Sequence, residues 1–367
     1  MTDRIETGQV TGPPRAPTGA IRWLRENLFN TWYNSLLTLV IVWAGFNIVP
    51  AMVDWLVLEA VWHAAPPEAC REAAGACWAF LHEKGRFILF GLYPYDEQWR
   101  PTLAVALALG LIAVSGDRRS WGRWLAIAWA LGIVAIALLI RGGALGLSYV
   151  PNNQWGGLPL TLGLSIVGLV FAFPAGILLA LGRRSDMPAV KAVCVAYIEL
   201  IRGVPLITVL FMASLLIPLF LPQELSIDKL LRAQIGLIMF AAAYLAEVVR
   251  GGLQAIPRGQ YEAADALGLT YWQKMRLIIL PQALTIAIPP LVNTFIGFIK
   301  DTSLVVIIGL FDLLGATKSA LSEAGWRPMY KEGYLFIALI YFVICYSLSK
   351  YSQALESRLE TGRRARR

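Results

Sequence analysis

The sequence predicts an all-α polytopic membrane protein with about eight transmembrane helices, and two observations carry that prediction. Of its 367 residues, 57% are hydrophobic and only 15% are charged, whereas soluble domains carry about 25% charge. Apolar runs along the chain repeatedly reach the roughly 20 residues needed to cross a bilayer. The mean hydropathy, +0.60, agrees.

The elements follow in order. Residues 1–20 are polar, carry Pro13, Pro14 and Pro17, and contain no apolar segment of the kind a signal peptide needs. They read as a cytoplasmic tail. In residues 21–30, Ile21, Leu24 and Leu28 share one helical face beside Arg22, Trp23 and Arg25, the pattern of an interfacial helix. Spans are predicted at 33–53, 99–116, 122–140, 158–182, 190–221, 233–250, 283–311 and 333–353. The fifth is interrupted by Glu199, Arg202, Gly203 and Pro205. Residues 87–95 are apolar but too short to span, as expected of a re-entrant or interfacial piece. The chain changes character near 158, from Trp- and Ala-rich spans to spans broken by charge, Gly and Pro. Four regions result. Residues 1–32 form a tail and interfacial helix, 33–157 an added helical layer with an outside insertion, 158–357 a working core, and 358–367 a basic tail.

Orientation follows from Lys and Arg. With the N-terminus inside, the inner segments hold 20 of them and the outer segments 9, so both termini are expected in the cytoplasm. The net charge of +8 is concentrated at span ends rather than in a stripe, which argues against nucleic acid as a partner and for membrane lipid. The outer segment 54–98 holds Cys70, Cys77, His63 and His82. The two cysteines could close a small disulfide loop in an oxidising compartment. The spacing matches no common metal site, and no metal is expected. Cys194 and Cys345 fall within spans and read as packing residues.

Several polar residues sit where apolar ones would be cheaper. Arg202 lies three residues after Glu199 and just before Gly203 and Pro205, which loosen a helix. It marks either a broken helix on a substrate path or the cytoplasmic end of a span. Glu247 precedes Arg250 by three residues, giving either an intrahelical ion pair or a gate. Lys300, Asp301, Thr302 and Ser303 lie inside the predicted 283–311 span. Charge there costs several kcal/mol, on the order of the insertion scales, and should face a cavity or a partner. A zwitterionic ligand would suit such a set, and a structural helix–helix pair is the alternative. Pro289 and Pro290 permit a bend nearby.

The segment between the sixth and seventh spans carries more pattern than a connecting loop needs. It reads Glu262-Ala263-Ala264-x3-Gly268-x9-Ile278-x-Leu280-Pro281, a short helix, a glycine turn, and an apolar-basic stretch closed by proline. Trp272 is a large aromatic on this otherwise polar loop, which suits a protein contact.

This pattern resembles the EAA loop of importer-type ABC transporter permeases. Together with Arg202-Gly203-Val204-Pro205-Leu206, Ala243-Tyr244-Leu245-Ala246-Glu247-Val248-Val249-Arg250-Gly251-Gly252 and Lys300-Asp301-Thr302-Ser303-Leu304, it makes residues 158–357 similar to the permeases of polar amino-acid importers. Val204 departs from the Thr more usual there. The longer form with an outside insertion resembles a membrane subunit of the broad-specificity L-amino-acid uptake systems. The resemblance implies an importer-type permease core in the bacterial inner membrane. It also implies an ATPase pair, a second homologous permease subunit, a periplasmic amino-acid-binding protein and an L-amino-acid substrate. ATP and Mg would be used by the ATPase, for this chain has no Gly-x4-Gly-Lys-Ser/Thr motif to cradle phosphates. Glu262, Ala263, Ala264, Gly268, Ile278, Leu280 and Pro281 would couple the ATPase to transport. Arg202, Glu247, Lys300, Asp301, Thr302 and Ser303 are candidates for the path or substrate site. An ion-coupled secondary amino-acid transporter using Lys300 and Asp301 as a relay is the alternative, and it leaves the Glu262 loop without a task. No catalytic group is apparent.

Overall fold

The computed structural model describes residues 19–116, 120, 122–220, 222 and 227–364, with side chains for all of these except Ile21 and 357–364. The first 18 residues of the expected tail, most of the inner loop 117–123 and the last three residues lie outside the described residues. The chain divides into two compact units, residues 1–62 with 72–77, and residues 63–71 with 78–367.

In the first unit, α1 (Ala20–Asn27) leads to α2 (Trp32–Val53). Thr31 caps α2 by accepting from the Asn34 N–H, satisfying one of the four free donors of a helix start. No residue of α2 is buried, which suits a helix surrounded by lipid tails. A π-helical turn, Asp54–Leu58, ends it. The following strip pairs with residues 76–77, where Ala76 donates to Trp55 O and Val61 to Ala76 O. Cys70 and Cys77 are both buried and both disulfide-bonded.

The second unit holds the remaining spans. Helices α3 (Pro67–Glu72), α4 (Ala79–Phe90), α5 (Trp99–Ser115) and α6 (Arg123–Arg141) precede α7 (Gly157–Arg183), α8 (Pro188–Gly203), α9 (Leu206–Phe220) and α10 (Lys229–Gln254). Then come α11 (Arg258–Ala266), α12 (Tyr271–Lys274), α13 (Leu280–Asp301), α14 (Leu313–Ser322) and α15 (Tyr330–Arg364). Among the described residues of the whole chain, seven helices are long and apolar enough to cross a membrane, and the pair α8–α9 makes an eighth. That pair is bent by 108°, at the position of Gly203 and Pro205.

The centre of the unit is α10, which packs on α7, α13, α9 and α8. Its buried face is built largely of Ala233, Ala241, Ala242, Ala243 and Ala246. A Cβ on Gly176 of α7 would stand 2.9 Å from Leu245 Cβ, and one on Gly252 of α10 would stand 2.5 Å from Ala283 O. Small residues thus let the backbones approach closely, the usual basis of helix association where no water drives it.

Three expectations need correcting. The seventh span is α-helical only to Asp301; Thr302–Ile308 winds more tightly as a 3-10 helix and stops at Gly309, which is left-handed at φ +74°. Helix α13 also runs unbroken through Pro289 and Pro290; the loosened backbone is instead a π-helical turn at Met275–Ile279. Finally, the last helix continues to Arg364, so residues 358–364 of the predicted tail are helical. Within the short apolar piece at 87–95, residues 87–90 are the last turn of α4, which packs on α7 and α14, and the chain turns at Gly91.

Two polar anchors hold the ends of these helices. Arg100 in α5 is fully buried. Its Nε donates to Leu139 O at 2.7 Å, and its Nη1 meets Glu97 Oε2 at 2.5 Å and Ser148 O at 3.0 Å. Asp312 lies between candidate spans and caps α14, accepting from the Leu314 and Gly315 N–H groups at 3.2 and 2.9 Å. Beside it, Leu313 N donates to Thr161 Oγ1 and Gly157 N donates to Phe311 O, which ties the start of α14 to the start of α7. Burial pushes the Asp312 carboxyl up to about 7, outweighing the two cap hydrogen bonds that favour its charged form.

A raised folded-state pKa means the native protein binds the proton more tightly than the unfolded chain. The stability contributed by Asp312 is therefore complete below about pH 4, and it declines as the pH rises to about 7, by on the order of 1 kcal/mol per pH unit. The Asp312→Asn variant keeps an acceptor for the cap and loses the titration. Thermal unfolding of purified protein between pH 4.5 and 8 is expected to slope downward in the wild type and to flatten in the variant.

Candidate functional site

Two features at one end of the bundle bring the functional candidates together. The first is a cluster of charges. The last residues of α7, the end of α8 and the inner part of α10 converge on the Glu247 carboxylate. Arg250 Nε lies 3.0 Å from both Glu247 oxygens, and Arg250 Nη2 lies 2.8 Å from Oε2. Arg183 Nη1 reaches Oε1 at 3.0 Å and Arg202 Nη1 reaches Oε2 at 3.5 Å. Arg183 also meets Glu199 Oε1 at 2.7 Å. Three guanidiniums thus share two carboxylates, leaving one positive charge in excess. Arg202 further stacks over the Tyr244 ring, 5.6 Å from its centre.

This geometry redistributes the pairs suggested by spacing. Glu247 and Arg250 do form the i, i+3 pair. Glu199 and Arg202 do not pair with each other; each turns to a different helix. Arg202 sits at the end of α8, where the chain bends into α9, so the position combines a helix end with a broken span. Arg183 was visible in the sequence only as a topological charge, and nothing local pointed to its two carboxylate partners.

The second feature is the segment from Arg258 to Leu280. Helix α11 carries Glu262, Ala263 and Ala264. Ala264 is fully buried, while Glu262 and Ala263 are exposed. The helix stops because Gly268 turns left-handed at φ +70°. Its N–H then reaches Asp265 O at 2.9 Å, and Leu269 N–H reaches Ala264 O at 3.2 Å. This pair of bonds is a Schellman cap, which favours glycine because other residues are strained at that φ. Thr270 and Gln273 form a capping box that starts α12. Met275 and Ile279 of the π-helical turn are buried in the core, Ile278 and Leu280 pack against it, and Pro281 lies in the first turn of α13. Lys274 Nζ meets Asp265 Oδ1 at 2.5 Å, bracing α12 on α11. The inner face is thus fixed to the bundle, and the outer face presents Leu267, Tyr271, Trp272 and Leu277, with Leu267 74% and Trp272 64% exposed.

The two features meet at the end of α7. Arg183 enters the charge cluster, while the next residue, Arg184, donates to the Tyr261 hydroxyl at 3.2 Å and lies 5.7 Å from the centre of its ring. Tyr261, immediately before Glu262, donates in turn to Leu253 O at 3.3 Å.

Lys300, Asp301, Thr302 and Ser303 do not join this cluster. They lie where α13 passes into the 3-10 helix. Among the described residues, Lys300 and Asp301 enter no ion pair within 4 Å. Thr302 is buried and gives its hydroxyl to Ile299 O at 2.7 Å, which commits it to the backbone. Among the described residues, no group of three His, Cys, Asp or Glu is placed to hold a metal ion.

The unequal exposure of the two carboxylates gives a test. Glu247, with 15% of its side chain exposed, contacts three arginines, whereas Glu199 is 54% exposed and contacts one. Glu247→Gln is expected to cost about 2 kcal/mol, since it strands half-buried guanidiniums. Glu199→Gln is expected to cost under about 1 kcal/mol. Thermal unfolding of the two variants decides it, and equal losses would mean that Glu247 is not the centre of the cluster.

Comparison with known proteins gives the family of the chain. The family model described as "Binding-protein-dependent transport system inner membrane component" matches residues 172–361, which contain α8 to α14 and the Glu262 segment. The chain is 50% identical over 364 residues to the inner membrane amino-acid ABC transporter permease protein YhdY of Escherichia coli (strain K12), covering 96% of this chain and 98% of that one. It is 42% identical over 418 residues to the glutamate/glutamine/aspartate/asparagine transport system permease protein BztC of Rhodobacter capsulatus, covering 96% of each. Among solved structures, an amino acid ABC transporter crystallised with histidines is 35% identical, with a TM-score of 0.49, covering 55% of this chain and 92% of that one. The chain belongs to the family of inner membrane components of binding-protein-dependent transport systems.

Proposed function

We propose that this chain is the permease subunit of an ATP-driven importer of polar L-amino acids, and that the Arg258–Leu280 segment is its joint with a separate ATPase. One observation carries the reading. The segment is rigidly capped and anchored on its inner face, yet it leaves Leu267, Tyr271 and Trp272 uncovered on its outer face. Large apolar side chains held out by a fixed scaffold suit docking to another protein. The amino-acid cargo is supported by the names of the two relatives matched along nearly their full length.

In mechanism, a push on α11 reaches Tyr261, then Arg184, and so the end of α7. Arg183 carries it across to Glu199 on α8 and Glu247 on α10. The bend between α8 and α9 lies at that level, so a rigid-body shift of the inner ends can change the pathway without unfolding a helix. The alternative of an ion-coupled carrier gives this outward-facing segment nothing to do. The excess of Lys and Arg on one side supports a cytoplasmic position for both termini and the segment. A binding protein would deliver substrate on the other side, and a second permease subunit would complete the pathway.

The test is co-purification of the chain with its ATPase from cells expressing all components, comparing wild type with Glu262→Arg and Tyr261→Phe. Glu262→Arg is expected to lose the ATPase or to hydrolyse ATP without uptake. Tyr261→Phe is expected to keep the ATPase and to lower the amino acid moved per ATP. If ATPase recovery and uptake were unchanged in both, the segment would not be the joint.

A further inference from the structure

Helix α6 packs on α5, and α5 in turn touches α7. Between α6 and the inner pair α7 and α10 lies a cavity of about 450 Å³. Its walls include Ile133 and Ala137 from α6, Ala108 from α5, and Gly163 and Val167 from α7. Gly163 faces open space, for a Cβ there would meet nothing within 4 Å.

The chemistry of the lining excludes a polar occupant. The polar residues that border the cavity are nearly all engaged elsewhere. Gln234 donates to Leu164 O, the Asp228 carboxylate caps Leu231 N–H, and Tyr93 donates to Leu139 and Ile140 carbonyls. The indole N–H groups of Trp129 and Trp155 are spent on Ser115 and Val150 O. Ordered water needs two to four polar partners, and an amino acid needs more. Neither finds them here.

The dimensions select among apolar occupants. Along α6 the lining runs from Trp129 to Ile140, about 16 Å at 1.5 Å per residue. That is about half of a 30 Å hydrocarbon core, the depth of one leaflet. A cavity of about 450 Å³ drawn out along one side of α6 suits a narrow, extended occupant. An extended hydrocarbon chain is such an occupant. Asn152 and Asp228 border the cavity where α6 ends and α7 and α10 begin, so its polar border lies at that end of the bundle.

We infer that this cavity is a phospholipid site: one acyl chain from the leaflet at the α6 C-terminal end inserts between the α5–α6 hairpin and α7–α10. The lipid fills what would otherwise be an unpacked seam between the added helices and the core.

The experiment uses the full chain reconstituted in phosphatidylethanolamine–phosphatidylglycerol vesicles containing a phospholipid with a photoactivatable acyl chain. Cross-linked peptides are mapped by mass spectrometry. Cross-links on Ile133, Ala137 and Val167 are expected in the wild type. They are expected to be lost in Gly163→Phe, which fills the cavity, while labelling of the lipid-facing Val40 and Trp43 of α2 persists. Should Gly163→Phe not give a monodisperse protein, Ala137→Phe fills the same space from the opposite wall. Labelling of α6 confined to outward residues such as Leu131 and Val134 in the wild type would overturn the inference, as would cavity cross-links undiminished by the filling variants.

Discussion

The close contact of α10 with α7 and α13 is the constraint on which the rest of the unit depends. In a bilayer the hydrophobic effect does not press one helix on another, so association must come from dispersion contacts and hydrogen bonds at short range. The alanine-rich face of α10, met by Gly176 on α7 and by Ala283 on α13, supplies that range. Because these backbones are held so near one another, side chains at the helix ends have defined partners. Glu247 can face Arg183 and Arg202 across helix boundaries only because the seam beside it is narrow. The charge cluster is a consequence of small-residue packing, and its geometry would relax if that packing did.

The consecutive arginines at the end of α7 give the molecule an unusual economy. A helix end points adjacent side chains about 100° apart. Arg183 and Arg184 therefore serve two neighbours at once, one inside the bundle and one on the Arg258–Leu280 segment. A single helix terminus then belongs to both the helix bundle and the Arg258–Leu280 segment. The inner face of that segment is buried through Ala264, Met275 and Ile279, so α11 cannot move far without carrying the bundle with it.

Much of this was legible in the sequence, for identifiable reasons. Span number and position follow from hydropathy, because backbone groups in lipid must be satisfied within helices. Gly203 and Pro205 announced a weak point in the fifth span, though not a 108° turn. Gly268 announced a left-handed cap. What the sequence could not convey was partnership across helices. Glu199 and Arg202 share a face by spacing, yet tertiary neighbours claim both. Lys300 and Asp301 looked like members of one site with Glu247, but they lie at the transition into a 3-10 helix and join no part of the cluster. Asp312, two residues after Phe311-preceding Leu310 and just before Leu313-Leu314-Gly315, has the spacing of a helix cap. Its burial, which sets its protonation, depends on residues about 150 positions away.

Arg100 ties α5 to the chain that follows it. Its guanidinium is fully enclosed, and the carbonyl oxygens that receive it belong to Leu139 and Ser148, some forty residues later in the chain. Before the chain reaches Leu139 and Ser148, that charge has only Glu97 and the Tyr93 ring beside it. A charged side chain within a membrane-inserted helix is costly until it is paired. The α5–α6 hairpin is thereby one unit: the charge at the start of α5 is satisfied only when the end of α6 and the Ser148 turn stand against it.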